Sequence, residues 1–215
     1  AYTPDNTTII NTSEFTDEQT GLIFDASSGA AVVTGWNAPA SFDGNLTIPE
    51  KIKNPYTGKT YTVTTIADGT NGAGVFQAKN ELKSITLPST LESIGDYAFY
   101  KVDSISELYI PKNVTKIGAN AFSRDNNLNS AESSAQGLHK IVFEKSDKTV
   151  TIENRAFAKN SYLEMVDAED RPLSLEGSTF VGSGNSNSID KGLQLRLNKA
   201  SNIGPGTFMA TGGIT

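Results

Sequence analysis

The sequence predicts a mainly β fold, a short solenoid of about six coils closed at its N-terminal end by a β-hairpin. The first ground is a repeat: from Leu82 the chain reads LKSITLPSTLESIGDYAFYKVDS, and 23 residues later, from Ile105, it reads ISELYIPKNVTKIGANAFSRDNN. Leu82, Ile85, Leu87, Pro88, Leu91, Ile94, Gly95, Ala98 and Phe99 fall on Ile105, Leu108, Ile110, Pro111, Val114, Ile117, Gly118, Ala121 and Phe122, all apolar, Gly or Pro positions. The second ground lies inside one unit, where Ile85 and Leu87 alternate with Ser84 and Thr86, the period of a strand with one buried face. The third is a pair of apolar runs before the repeats, separated by Ser27, Ser28 and Gly29, which reads as a hairpin.

In chain order, the first twenty residues are polar and are expected to be poorly ordered or to lie along the cap. Leu22, Ile23 and Phe24 make one arm of the hairpin and 31–36 (AVVTGW) the other; its task is to cover the open edge of the first coil. Residues 1–42 are therefore assigned to a polar segment and hairpin cap, and 43–215 to the solenoid. Leu46, Ile48, Pro49, Ile52, Ile66 and Phe76 form a stretched first unit. The units at 82 and 105 follow. Within them Pro88 ends the strand because it lacks an N–H, Leu91 and Ile94 turn the chain back, Gly95 supplies permissive backbone at the corner, and Ala98 and Phe99 point inward. A fourth unit carries Leu138, Ile141, Phe143, Ile152, Ala156 and Phe157, and a fifth Leu163, Val166, Ala168, Leu175 and Phe180. The sixth has Leu195, Leu197, Ile203, Gly204 and Phe208. Insertions at 53–62, 125–137 and 182–191 are expected to emerge as edge loops, with a hairpin the alternative for the first because Tyr61, Val63 and Ile66 alternate. The chain stops at Gly212, Gly213, Ile214 and Thr215 without a polar cap; either a last strand closes the end or more protein follows.

Composition excludes several function classes. The 215 residues contain no Cys, hence no disulfide framework, thiolate zinc site, iron–sulfur cluster or cysteine nucleophile. A single His rules out a metal site built from several imidazoles. Lys and Arg number 18 against 24 Asp and Glu, and the net charge of −6 has the wrong sign for neutralising nucleic-acid phosphates over a broad face. No apolar run approaches the roughly 18 residues of a spanning helix. No cofactor and no nucleic-acid partner are expected.

Each chemical motif has a plainer reading beside it. His139 enters the fourth strand at a solvent-facing position, as an ordinary exposed residue. Gly182, Ser183, Gly184, Asn185 and Ser186 lack the strand and helix that a nucleophile elbow requires, and read as a flexible loop. The glycines at 69, 72 and 74 are followed by no Lys and no helix, so they make no phosphate loop. Asp167, Glu169 and Asp170 are dense enough to attract Ca²⁺ weakly, but a solvated acidic edge accounts for them. A better candidate is the outward ladder of the stacked strands: Thr86, Tyr109, Val142, Asp167 and Arg196 form one row, and Ser84, Glu107, Lys140, Met165 and Gln194 the next. From these, Thr86, Tyr109, Lys140, Val142, Asp167 and Arg196 are taken as the candidate binding residues, since an exposed Tyr among charges suits a protein or glycan contact.

The motif L-x-x-I-x-L-P-x-x-L-x-x-I-G-x-x-A-F, as it stands at 82–99, resembles the BspA-like class of leucine-rich repeats of bacterial cell surfaces. The resemblance covers about residues 46 to 208. Glu176 and Thr179 replace the corner Gly and the small residue in the fifth unit, and the family's Cys after the Phe is absent, with Val102 the nearest apolar occupant. The resemblance implies a right-handed leucine-rich-repeat solenoid, exported or surface-anchored, whose relatives act in adhesion rather than catalysis. The expected function is thus non-enzymatic recognition of a protein or glycan, host extracellular matrix included, by a monomer at the cell surface or outside the cell. The residues from Ala1 onward show no initiator Met, basic stretch or apolar stretch, so a chain trimmed by signal-peptide removal is expected, and a lipid anchor on a segment before it would fit the same reading. The alternative is a structural spacer or assembly module. An enzyme such as a glycan hydrolase would need converging carboxylates in a pocket, which regular solenoids seldom offer.

Overall fold

The computed structural model describes residues 11–124, 137–184, 193–199 and 201–209. Short extended segments rich in Ile, Leu and Val, each cut off by Pro or a polar turn, have no length for helix and pair sideways instead. Among the described residues there are sixteen strands and no helix. Strands β1 (Glu14–Thr16), β2 (Leu22–Asp25) and β3 (Ala31–Trp36) form an antiparallel ribbon, with Phe15 opposite Phe24 and Leu22 opposite Trp36. Of the polar N-terminal stretch, residues 14–16 thus lie along the hairpin, and the first ten residues lie outside the described ones.

Each coil then contributes two strands and a turn. The first strands are β4 (Asn45–Thr47), β7 (Ser84–Thr86), β9 (Glu107–Ile110), β11 (Lys140–Phe143), β13 (Met165–Asp167) and β15 (Gln194–Arg196). The second strands are β6 (Thr60–Ile66), β8 (Ser93–Ile94), β10 (Lys116–Ile117), β12 (Val150–Ile152), β14 (Leu173–Leu175) and β16 (Asn202–Ile203). All the second strands run parallel in one sheet, which β3 extends at its N-terminal edge by pairing parallel with β6. Along this sheet Ile66, Ile94, Ile117, Ile152, Leu175 and Ile203 stand in register, one per coil. The first strands split into two parallel ladders, β9-β11-β13-β15 and β4-β7.

The insertion at 53–62 is a hairpin: β5 (Lys51–Lys53) folds antiparallel onto β6. This moves one residue of the expected frame. Glu92 N–H donates to the Thr64 carbonyl as Thr115 N–H donates to Glu92, so Val63, fully buried, stands in the place of Leu91. Ile52, assigned there from the sequence, is half-buried on the hairpin instead.

The third side of each coil is a turn that carries the Phe. Phe76, Phe99, Phe122, Phe157, Phe180 and Phe208 stack through the molecule with centroid separations of 4.7, 4.8, 5.3, 5.4 and 5.7 Å and planes within 11° of parallel. Separations this much longer than carbon–carbon contact mean that the rings are offset, the arrangement their quadrupoles favour. At the N-terminal end Trp36 meets Phe76 at 5.7 Å and Phe42 at 5.0 Å, while its indole N–H donates to the Thr20 carbonyl at 2.8 Å. A backbone ladder accompanies the rings: Tyr97, Phe99 and Lys101 N–H donate to the carbonyls of Ala119, Ala121 and Ser123, and the same pattern recurs from coil to coil.

This turn corrects the role given to Gly95. The positive φ angles of the turns belong to Ala78 (56°), Tyr97 (54°), Lys101 (61°), Asn120 (55°), Arg155 (59°), Lys159 (63°), Ser178 (62°), Gly182 (66°) and Gly206 (70°), not to Gly95 or Gly118. Gly95 is required by proximity: a Cβ there would sit 2.3 Å from the Ala67 carbonyl of the preceding coil. Where the small residue before the Phe becomes Thr179 or Thr207, the buried hydroxyl donates to the carbonyl three residues back, Glu176 or Gly204, and is satisfied within its own turn.

Three polar side chains link coils through the interior. Arg171 is 0 % exposed; its guanidinium donates to the carbonyls of Lys148 (2.7 Å), Glu144 (3.0 Å), Pro111 (3.3 Å) and Val114, bridging the third, fourth and fifth coils. Burial pulls its pKa down, and the nearby Glu144 charge partly restores it. Asn160 donates to the carbonyls of Phe122 and Phe157, and its own N–H donates to the Ser183 hydroxyl, which donates to Phe157 at 2.6 Å. Ser183 is therefore a fully buried staple rather than part of a flexible loop; Asn185 and Ser186 lie outside the described residues.

Two outcomes follow for stability. Phe122→Ala removes a ring stacked on both sides and is expected to cost about 3–5 kcal/mol in denaturant unfolding. Arg171→Lys keeps the charge but loses the planar fork, leaving buried carbonyls unpaired, and is expected to cost about 3 kcal/mol by the same measurement. A change under about 0.5 kcal/mol would show that the guanidinium is not holding the coils.

Candidate binding face

The face expected to bind is the outer surface of the first-strand ladder. Alternation along β9 buries Leu108 and Ile110 and turns Glu107 and Tyr109 outward; the same parity holds in β11, β13 and β15. Pairing then sets the rows. Tyr109, Val142, Asp167 and Arg196 are register partners across four strands, and Glu107, Lys140, Met165 and Gln194 form the adjacent row. At about 4.8 Å between strands each row is about 14 Å long.

Thr86 and Ser84 depart from the expected rows, Ser84 lying opposite Asn45 rather than in register with Glu107. Strand β7 pairs with β4, where Thr86 lies opposite Thr47, and no ladder joins β7 to β9. Thr86 is exposed beside the face but belongs to a separate two-stranded sheet. The reason is visible at the end of the preceding turn: the Ser104 hydroxyl donates back to the Leu82 carbonyl and Asp103 N–H to the Asn80 side chain, so side chains make the coil-to-coil bonds there.

The chemistry of the rows is uneven. Tyr109 is 52 % exposed, and its pKa is raised by partial burial and by Glu144, so its hydroxyl stays protonated and can both donate and accept. Asp167 and Arg196 are paired at 3.7 Å, which neutralises that end of the row. Lys140 is half-buried, and among the described residues no carboxylate lies within 4 Å of its ammonium group. Carboxylates bordering the face are engaged elsewhere: Asp170 with Lys145 at 3.6 Å, Asp147 with Lys199 at 2.5 Å, Glu144 accepting from Lys112 N–H, and Glu169 accepting from Asn198. The acidic cluster of Asp167, Glu169 and Asp170 is thus dispersed among separate partners, and no group of three or more potential metal ligands occurs among the described residues. His139 is half-buried and stacked on Tyr162 at 5.9 Å, rather than open to solvent.

Two concave regions lie away from this sheet. An open groove of about 630 Å³ beside the cap is lined by Phe15, Asp17, Ile23, Ile52 and Tyr56. A smaller polar one, on the turn side, is lined mostly by residues that stand two before or one or two after the repeated ring of the second, third and fourth units. The repeat frame contains these positions, but their mixture of charge and aromatics carries no period that would mark them in the sequence. The glycines at 69, 72 and 74 serve the turn of the first coil, where Gly72 and Gly74 N–H donate to the Gln77 side chain.

Parallel strands in coil-by-coil register, a repeated ring stack and a hairpin at one end define a leucine-rich-repeat solenoid. The family described as BspA type leucine rich repeat region, in six copies, matches residues 62–141 and 133–212, and the chain belongs to it. No curated protein matches this sequence. Among solved structures, a leucine rich cell surface protein from Faecalibacterium prausnitzii is 23% identical with a TM-score of 0.45, over 94% of this chain and 54% of its own. A leucine-rich repeat protein from Bacteroides capillosus is 21% identical with a TM-score of 0.39, over 61% of this chain and 99% of its own. This chain spans about half the length of the first. No helix among the described residues is long and apolar enough to cross a membrane.

The pairing of Asp167 and Arg196 is solvent-screened. A double-mutant cycle, Asp167→Asn with Arg196→Gln, is expected to give a coupling below about 1 kcal/mol that shrinks in high salt.

Proposed function

We propose that this chain is a non-enzymatic recognition protein of the bacterial cell surface or the extracellular space, which binds a protein or glycan through its first-strand ladder. Residues 1–42 act as the cap and 43–215 as the binding solenoid. The observation that carries the reading is the row Tyr109, Val142, Asp167 and Arg196, which presents an exposed aromatic on four hydrogen-bonded parallel strands. Such a surface is ordered before the ligand arrives, so little conformational entropy is lost on binding. Tyr109 offers area and a hydroxyl, Lys140 a cation without a nearby carboxylate, and Met165, beside Lys140 on the next strand, an adaptable apolar contact. Thr86 borders the same surface as an auxiliary contact.

The test is a glycan and extracellular-matrix array probed with the wild-type chain and with the triple variant Tyr109→Ala, Lys140→Ala, Arg196→Ala. The expected result is a ligand bound by the wild type and lost by the variant, with the thermal midpoint nearly unchanged. Retained binding sinks this face, and no binding to any ligand class favours a structural spacer.

A further inference from the structure

The groove beside the cap, about 630 Å³, lies at the N-terminal end of the ten-stranded sheet, where β1 is the terminal strand. Ala26 N–H donates to the Ser13 carbonyl and Asp17 N–H to the Leu22 carbonyl, so the odd-numbered residues of β1 make its bonds to β2. By the alternation of an antiparallel pair, the N–H and C=O of Glu14 and Thr16 point the other way, along the free edge. Both residues are exposed and border the groove, and among the described residues none of these four backbone groups has a partner. The other side of the groove is formed by the β5–β6 hairpin. There Asn54 N–H donates to the Lys59 carbonyl and Val63 N–H to the Glu50 carbonyl, so the same alternation turns the backbone of Lys53 away from β6. A free strand edge therefore borders the groove on each side.

These walls are fixed in the protein by itself. Asn54 is 1 % exposed; its Nδ2 donates to the Thr12 carbonyl at 2.7 Å, while its Oδ1 accepts from the N–H groups of Tyr56 and Thr57. One buried side chain thus ties the hairpin to the residues that lead into β1. Apolar groups lie on both faces of the β1 edge: Ile23 shares a face with Thr16, its register partner, and Phe15 stands on the opposite face. Ile52, Pro55 and Tyr56 complete the apolar lining, Tyr56 being 62 % exposed. The rim is acidic, with the carboxylates of Glu14, Asp17 and Glu18 set against the one ammonium of Lys53. Asp17 is engaged by the Thr20 hydroxyl at 2.5 Å, but the side chains of Glu14 and Glu18 have no ion pair or hydrogen bond among the described residues.

We propose that this groove receives an extended peptide segment of a partner protein, added as a strand along β1, in which basic residues alternate with apolar ones. Two features select this occupant. The β1 edge offers an N–H and C=O pair at Glu14 and another at Thr16, about 6.8 Å apart, and an extended backbone meets that spacing with its own alternating groups where a sugar ring or a nucleotide does not. The unpaired carboxylates of Glu14 and Glu18 then call for cations beside the added strand, since opposite charges across neighbouring strands attract. The residue opposite Glu14 exchanges both backbone bonds with it and shares its face, so Lys or Arg fits there. The next residue, opposite Phe15, points to the other face and meets apolar lining, so Val or Ile fits. The free edge at the far end of the same sheet, β16, carries Asn202 and Ile203 and no cation, so a second copy of this chain does not supply the match through that strand. This site stands independently of the first-strand ladder.

The experiment is a calorimetric titration of the whole chain with three end-capped hexapeptides: alternating Lys and Val, alternating Glu and Val, and the Lys–Val sequence N-methylated at each Lys, which blocks its edge-facing N–H groups. The variant Glu14→Lys, Glu18→Lys reverses two exposed charges and should leave the thermal midpoint nearly unchanged. Thr16→Pro removes one edge-facing N–H that the ladder to β2 does not use. The Lys–Val peptide is expected to bind the wild type, more weakly in high salt, and to lose about tenfold or more in affinity to the charge-reversed variant. The N-methylated peptide, and the Thr16→Pro variant with the unmodified one, are expected to show no measurable binding. Binding should be undiminished in the variant altered at Tyr109, Lys140 and Arg196, which separates this site from the strand ladder. The proposal is overturned by no binding of the Lys–Val peptide, by equal binding of the Glu–Val or N-methylated one, or by binding that survives the charge reversal. It is overturned as well if sedimentation equilibrium shows a dimer that the charge reversal breaks and the peptide does not, which gives the groove to a second copy. Binding that appears only in the variant Ile9→Asp, Ile10→Asp overturns it in favour of the chain's own first residues.

Discussion

The offset stack of six Phe rings is the contact on which the rest of the structure depends. Every coil is too small to bury its own apolar side chains, and the ring supplies the area through which one coil closes the next. Because the rings lie nearly parallel, they fix the relative rotation of successive coils, and rotation fixes which residues of each first strand come into register. The row Tyr109, Val142, Asp167 and Arg196 is thus a product of packing on the far side of the coil. The cap obeys the same constraint: Trp36 sits at the end of the stack as a seventh aromatic, and the hairpin continues the second-strand sheet through β3.

Apolar contact alone leaves the irregular third to fifth coils underdetermined, since the loops between them vary in length. There the interior becomes polar. Arg171 gathers carbonyls from two neighbouring coils, and Asn160 with Ser183 gathers more. These groups are directional where rings are not, and a carbonyl left without its donor is costly in a low-dielectric interior. The polar staples therefore fix the register of the insert-bearing coils as the rings fix their rotation.

The architecture was legible because repetition turns weak local signals into a strong one. Ile85 and Leu87 by themselves describe any strand; matched by Leu108 and Ile110 at a constant offset, they describe a stack. The strand rows followed by counting, and only Ser84 and Thr86, both on β7, strayed, because Ser104 and Asp103 replace ladder bonds at that junction. What the sequence hid were features that depend on a single contact between distant residues. Nothing around Arg171 announces burial, since its partners are backbone carbonyls up to sixty residues away, and a carbonyl has no sequence signature. Gly95 was recognised as necessary but for its conformation, when the cause is the approach of Ala67. The turn-side groove escaped for the complementary reason: its side chains differ from coil to coil, and a search for likeness discards them.

The backbone ladder beside the rings has an electrical consequence. In an ordinary sheet the peptide groups of a strand point alternately to either neighbour, and their dipoles largely cancel. On the turn side, Phe76, Tyr97, Phe99, Phe122, Phe157 and Phe180 all donate N–H to the following coil and never to the preceding one. The aligned peptide dipoles add along the solenoid axis, as they do along a helix, with the negative pole at the capped end and the positive pole toward the last coil. This side of the protein therefore has a polarity that its amino-acid composition does not disclose, and an anion lying along it would have a preferred end.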